Sequence, residues 1–301
     1  MMFHTAVLTI KRFTLILLAA LSFLSASAAA AGDSLTIRID PEKAKQLPGI
    51  DEIIKSMTPP IWERLRSNIE KDDVTASIKL DFVCISAQGL LDNSGENGAY
   101  VYLKGPKPAQ VRYLLKYTLE KSGWKYTEKT NGKSSVYCLT PPQGNAADRI
   151  YAILPDDTDS VILASDPAHV KQVPAKTADA ISGEMSFPPG SFPHPALKNA
   201  KQIRFVFSRF EHADGTPRLK GTIVIEEKDP EAAKRLYLEA ASFFMTTYQQ
   251  AASQGQVTAK HREMFQARMN GNEAEIILML DAETAQAFFE LLGNCLRKNL
   301  K

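Results

Sequence analysis

Residues 202–227 of the chain, QIRFVFSRFEHADGTPRLKGTIVIEE, carry its clearest strand pattern. Apolar and polar side chains alternate over residues 202–210 and again over residues 219–227. An Asp-Gly pair at 214–215 lies between the two runs, and such pairs favour tight turns. Because successive side chains of a strand point to opposite faces, the stretch predicts an antiparallel hairpin with one buried face.

A helix and a further hairpin are predicted directly after this stretch. Asp229 is a good helix cap, and Pro230 suits the first helical position. An Asn270-Gly271 turn then separates two runs of alternating character, and Asp281 caps a closing helix. The second half of the chain therefore has the predicted order ββα, hairpin, helix.

The first half shows a similar order of elements. A hairpin within residues 74–104 precedes a helix that begins at Pro108 and ends at Gly123. Two further hairpins and a short helix at residues 167–173 follow. The sequence thus predicts an α+β fold, in which two related ββαββ(α)-type units have antiparallel sheets and helices packed on one face.

A proline-rich segment separates the two predicted units. Residues 174–195 contain five prolines, and the run PPGSFPHP within them is unsuited to a regular element. The predicted organisation is a signal peptide (1–31), a first α+β domain (32–173), a Pro-rich linker (174–198) and a second α+β domain (199–301).

The amino terminus has the three-part layout of a secretory signal peptide. Lys11 and Arg12 precede an uncharged apolar run over residues 13–24, and small residues follow up to Gly32. The apolar run is shorter than the roughly 20 residues that a spanning helix needs. We expect cleavage near Gly32, a secreted or periplasmic location and no membrane insertion after cleavage.

Charge excludes a nucleic-acid partner. The 36 Lys and Arg exceed the 34 Asp and Glu only because of Lys11 and Arg12, so the chain from Gly32 onward has 34 of each and no net charge. A phosphate-binding surface needs an excess of clustered cations.

Three cysteines, Cys84, Cys138 and Cys295, are too few for a disulfide scaffold. Cys84 shares the alternation of Leu80 and Phe82, which favours a buried thiol. An oxidising compartment also allows a bridge between Cys84 and Cys138, and both interpretations stay open.

Motifs for catalysis or for a cofactor are not found in the sequence. It contains no G-x-S-x-G, H-E-x-x-H, G-x-x-x-x-G-K-[ST] or G-x-G-x-x-G motif. The histidines that follow the leader, His169, His194, His212 and His261, do not have the spacing of metal ligands. We therefore predict no catalytic residue, no metal ligand and no cofactor.

Tyrosine is concentrated in the first half of the chain. Seven of the nine tyrosines lie between residues 100 and 151. Tyrosine rings with a polar tip suit contact with a protein or a saccharide. Packing between the halves and the ordinary preference of tyrosine for strands are the alternatives. The candidate binding residues are Tyr100, Tyr102, Tyr113 and Tyr117.

Parts of both halves resemble exported proteins of unknown function from planctomycete-like bacteria. The resemblance rests on residues 98–139 (GAYVYLKGPKPAQVRYLLKYTLEKSGWKYTEKTNGKSSVYCL) and 148–173 (DRIYAILPDDTDSVILASDPAHVKQV). In the second half it rests on residues 221–244 (GTIVIEEKDPEAAKRLYLEAASFF) and 271–292 (GNEAEIILMLDAETAQAFFELL). It implies a duplicated α+β fold and export, and it carries no catalytic residues.

These observations predict an exported soluble protein that acts as a non-enzymatic binding or assembly module. Its partner is an unknown protein or saccharide. The alternative is a hydrolase whose site lies at the interface of the two halves and leaves no local motif.

Overall fold

The protein is described by a computed structural model. The structure describes residues 34–48, 81–88, 98–113, 125–140, 149–156, 159–170, 178–186, 188, 197–253, 265–282 and 284–285. The predicted signal peptide, Tyr117 and Cys295 lie outside these ranges. No helix among the described residues is long and apolar enough to span a membrane.

Twelve strands and a few helices make up the described part of the chain. The strands are β1 (Ser34–Ile39), β2 (Phe82–Gln88), β3 (Gly98–Lys104), β4 (Lys125–Asn131), β5 (Ser134–Thr140), β6 (Ile150–Pro155), β7 (Ser160–Ala164), β8 (Ile181–Ser186), β9 (Ala200–Glu211), β10 (Pro217–Glu227), β11 (Phe265–Asn270) and β12 (Glu273–Leu280). The helices are α1 (Pro41–Ala44), α2 (Pro230–Ser253) and a 3₁₀ turn (Pro167–His169), and residues 108–113 are also helical.

All twelve strands belong to one open antiparallel sheet. Its order is β11-β12-β10-β9-β8-β1-β2-β3-β7-β6-β5-β4. We call the run β1-β2-β3-β7-β6-β5-β4 the first arm and the run β8-β9-β10-β12-β11 the second arm. The β1–β8 pair, where the two arms join, is the seam. Strands hold 58% and helices 20% of the described residues. The predicted α+β fold of two ββαββ(α) units with helices on one face is therefore wrong.

The seam explains the error, because both of its strands are missing from the predicted elements. β1 and β8 pair antiparallel over six residues, from Ser34 opposite Ser186 to Ile39 opposite Ile181. β8 lies inside the segment predicted as a linker, so residues 181–186 belong to the sheet. With these strands added, the two halves join edge to edge in one sheet.

The predicted hairpins are confirmed. β2 pairs with β3, β4 with β5, β6 with β7, β9 with β10, and β11 with β12. Gly132 and Gly271 take φ values of 60° and 61° in their turns, a backbone region that glycine occupies without strain. Asp229 accepts a hydrogen bond from the backbone N–H of Ala232 at 2.7 Å, which confirms the predicted cap of α2.

One face of the sheet is apolar along the seam and the second arm. We call it the Leu35 face, because it carries Leu35, and we call the opposite one the Arg38 face. Leu236 and Ala240 of α2 lie one helical turn apart and pack against this apolar face. One row in register across six strands consists of Ile39, Ile181, Phe207, Gly221, Leu278 and Phe265.

The Arg38 face of the second arm is charged. One row across β8, β9, β10, β12 and β11 consists of Glu184, Arg204, Val224, Glu275 and Arg268. Its four charged residues alternate in sign, and Val224 lies between the second and the third. Arg38 also pairs with Glu184 at 3.0 Å. Opposite charges on neighbouring strands stabilise a sheet, so this face is suited to water.

The first arm has a buried cluster on each of its faces. Its Arg38 face holds a cluster of Phe82, Cys84, Tyr102 and Ile162. Its Leu35 face holds a second cluster of Tyr137, Leu139, Ala152 and Leu154, against which Val111 packs. The two arms therefore differ in how they bury the same sheet.

Candidate functional site

The structure describes three of the four predicted tyrosines, Tyr100, Tyr102 and Tyr113, and does not bring these three together on one exposed surface. Tyr102 is only 6% exposed, and its ring centroid lies 6.2 Å from that of Phe82. Tyr100 is half-buried and packs against the same cluster. Tyr113 lies in the helical residues 108–113 and is 44% exposed. Packing thus accounts for the two tyrosines of β3.

The two described cysteines are free thiols, and the predicted Cys84–Cys138 bridge is not formed. Cys84 lies on β2 and Cys138 on β5, with β3, β7 and β6 between them. That spacing is roughly 19 Å along the sheet, whereas a disulfide needs Cα atoms within about 7 Å. Burial raises the pKa of the Cys84 thiol, and nearby Arg38 opposes that shift.

Strand β4 forms one edge of the sheet. It pairs with β5 over seven residues, and no other described strand pairs with it. Residues 125–130 are all exposed. An edge of this kind presents backbone N–H and C=O groups that another strand can bond.

Cations line the Arg38 face at this edge. Lys125 and Lys129 are exposed there, and Arg149, also exposed, directly precedes Ile150, the residue of β6 that lies opposite Leu139. We call these three cations the basic row. Lys133 is also exposed in the β4–β5 turn. The described residues of β4, β5 and β6 place no acidic side chain on this face.

The acids of this region lie on the Leu35 face, where they are engaged. The Tyr137 hydroxyl donates to Glu128 Oε1 at 2.7 Å. Arg112 Nη2 donates to Asp156 Oδ1 at 2.5 Å and to Ser135 Oγ at 3.1 Å. Charge is therefore segregated between the two faces of the outer strands.

Burial and the neighbouring Glu128 carboxylate raise the pKa of Tyr137 to about 12. The hydrogen bond to Asp156 raises the pKa of Arg112. Tyr137 therefore keeps its proton, and Arg112 keeps its charge, at physiological pH. This network ties residues 108–113 and the end of β6 to β5, which fixes the strand that supports β4.

A second charged cluster lies at the β9–β10 turn. Asp214 accepts hydrogen bonds from the Thr216 N–H at 2.9 Å and from the Thr216 hydroxyl at 2.5 Å. These bonds, and His212 at 3.2 Å, hold the pKa of Asp214 well below its usual range. The cluster has the geometry of a capped turn. Among the described residues, no group of three or more His, Cys, Asp or Glu could hold a metal ion.

The β4 edge is the functional candidate that sequence reasoning missed. A signal was present, because a predicted strand with Lys125, Glu128 and Lys129 has charges on both faces, as edge strands often do. No protein family, curated protein or solved structure matches this chain.

Proposed function

We propose that this chain is an exported, non-enzymatic binding module that holds a protein partner along the outer edge of β4. The observation that carries the proposal is the open edge of β4 beside the basic row. Open edges bind extended polypeptide through backbone hydrogen bonds, which a saccharide cannot supply in the same ladder.

The burial of Tyr102 also favours a protein partner. A saccharide site needs accessible ring faces, and Tyr102 has none to offer because it is 6% exposed. The alternative function, a hydrolase with a site between the halves, gains no support from the seam, where the halves share one sheet.

Export rests on the layout of residues 1–31. We expect mass spectrometry of the protein recovered outside the cytoplasm to show a first residue within a few positions of Gly32. Cleavage near this point removes Lys11 and Arg12 with the leader. Recovery of a chain that still begins at Met1 would overturn the predicted location.

Site-specific photo-cross-linking tests the binding function. We expect a photo-reactive amino acid at position 127, on exposed β4, to form cross-links to a partner protein in the native exported fraction. The same amino acid at Lys220, which is exposed on the second arm, is the matched control. Equal cross-linking at both positions, or none at position 127, contradicts the proposal.

A further inference from the structure

We infer that the partner of β4 is an acidic, extended polypeptide segment that adds to the sheet as one more strand. This inference rests on the proposed function of the β4 edge and names the chemistry of its occupant. It follows from two independent properties of the edge, its unpaired backbone and its charge.

The backbone of β4 sets the length of the occupant. Its seven residues, Lys125–Asn131, span roughly 23 Å at the usual rise of a strand. β5 holds one side of this ladder throughout, so the strand is already extended. A partner segment of about seven residues can therefore pair along its full length without reordering β4.

The basic row sets the charge of the occupant. Lys125 and Lys129 lie on one face and are four residues apart, which is about 13 Å. An added strand with acidic side chains at alternate positions presents them to both lysines. Glu128 does not oppose this, because it lies on the other face and accepts the Tyr137 hydroxyl.

A second copy of the chain fits the edge less well. If two β4 strands pair antiparallel with Arg38 faces on the same side, each lysine meets threonine, asparagine or another lysine. Such pairings leave the cations uncompensated, and edge lysines generally oppose association. An apolar strand is disfavoured for the same reason, whereas an acidic one is attracted.

A designed peptide tests the inference. The probe is a fluorescent peptide of about nine residues in which Glu alternates with Thr and Val. Its twin carries an N-methyl group on every second residue, which removes hydrogen-bond donors and keeps the charge. We expect the chain from Gly32 onward to bind the first peptide and to bind the twin at least about tenfold more weakly.

Charge reversal at β4 is the second experiment. We expect Lys125→Glu with Lys129→Glu to weaken binding by about tenfold or more, because two attractions become repulsions. The control, Lys201→Glu with Lys220→Glu, changes net charge equally at exposed positions of the second arm and should bind as the parent does. All four positions are exposed, so we expect unchanged thermal unfolding.

The outcomes separate this inference from the proposed function. Equal binding of both peptides means that the protein attracts any polyanion, and the inference fails. Unchanged affinity after charge reversal at β4 also overturns it. If position 127 cross-links a partner while neither peptide binds, the binding function stands and the acidic strand is wrong. If position 127 forms no cross-links and neither peptide binds, both the proposed function and this inference are wrong.

Discussion

Replacing Gly183 with valine should destabilise the protein by about 1–3 kcal/mol, the usual range for overpacking a core. Gly183 lies in β8 directly opposite Phe205 of β9. A Cβ at Gly183 would overlap Cζ of Phe205 and lie 2.7 Å from Cε1 and 2.9 Å from Cε2. The phenyl ring therefore occupies the space of the missing side chain, and chemical denaturation would measure the loss.

The control is the same substitution in a Phe205→Ala background. Without the ring, Gly183→Val should cost little, since valine favours strands and glycine weakens them. The difference between the two backgrounds gives the coupling energy of residues 183 and 205. If Gly183→Val costs the same in both backgrounds, the ring does not lie over Gly183 and the packing of the seam is different.

Replacing Glu227 with glutamine should stabilise the protein, and the gain should grow as the pH rises. Glu227 is 1% exposed at the end of β10, and its Oε1 has no hydrogen-bond partner among the residues that the structure describes. Burial, and next Asp229, raise its pKa above the ordinary value of 4.5, while Arg235 and Lys228 oppose the shift.

The direction of the pH effect follows from the raised pKa. Below pH 4.5 the carboxyl is protonated in both folded and unfolded chains and costs nothing. The parent therefore loses stability as the pH rises from 4.5 to the folded-state pKa, and above that value the folded protein holds a buried charge and the loss is complete. We expect Glu227→Gln to gain about 1–3 kcal/mol over the parent at pH 8 and much less at pH 4.

Glu226→Gln is the matched control for this measurement. Glu226 is the adjacent residue, is half-buried and accepts a hydrogen bond from Asn272 Nδ2 at 3.3 Å. Its substitution should not produce a gain that grows with pH. A Glu227→Gln gain that is independent of pH between 4 and 8 would show that the carboxyl has the same pKa in the folded and unfolded protein, which would contradict the raised pKa.

Local signals made the hairpins and caps predictable. The Asn131-Gly132 and Asn270-Gly271 turns and the Asp229 cap depend on residues within a few positions of one another. Alternation over 202–210 and 219–227 likewise reports one buried face. Each of these elements is therefore specified by its own short stretch of sequence.

The seam was missed for two different reasons. Residues 34–39 (SLTIRI) alternate polar and apolar side chains, a strand signal that the prediction overlooked, whereas residues 181–186 (ISGEMS) contain a glycine and lie near five prolines. Gly183 lowers strand propensity on its own, and its place in β8 makes sense only with Phe205 over it. Because that contact joins residues of different strands, local patterns do not reveal it.

The position of β4 at the edge also depends on distant pairings. In the second arm β10 lies beside β12, whereas in the first arm the β6–β7 hairpin separates β3 from β5. This insertion places β4 two strands farther from the seam than β11, the outermost strand of the second arm. Both arms begin at the seam with three strands that are consecutive in the chain, β1-β2-β3 and β8-β9-β10. The duplication predicted from the sequence nevertheless stays a prediction.

The packing of the β3 tyrosines could not be predicted from the sequence for a similar reason. Alternation correctly puts Tyr100 and Tyr102 on the face opposite Val101, but it does not say whether that face is covered. Pairing with β2 and β7 surrounds Tyr102 with Cys84 and Ile162, so both faces of this part of the sheet are core.

Amide hydrogen exchange of β4 shows whether β4 receives an added strand. In an edge strand, amides that point to β5 exchange slowly and the alternate amides that point outward exchange quickly. We predict that the alternating Glu peptide slows exchange of the outward amides of residues 125–131 by at least about tenfold, whereas the N-methylated twin does not change their exchange. Bound peptide with unchanged exchange at these outward amides would contradict strand addition.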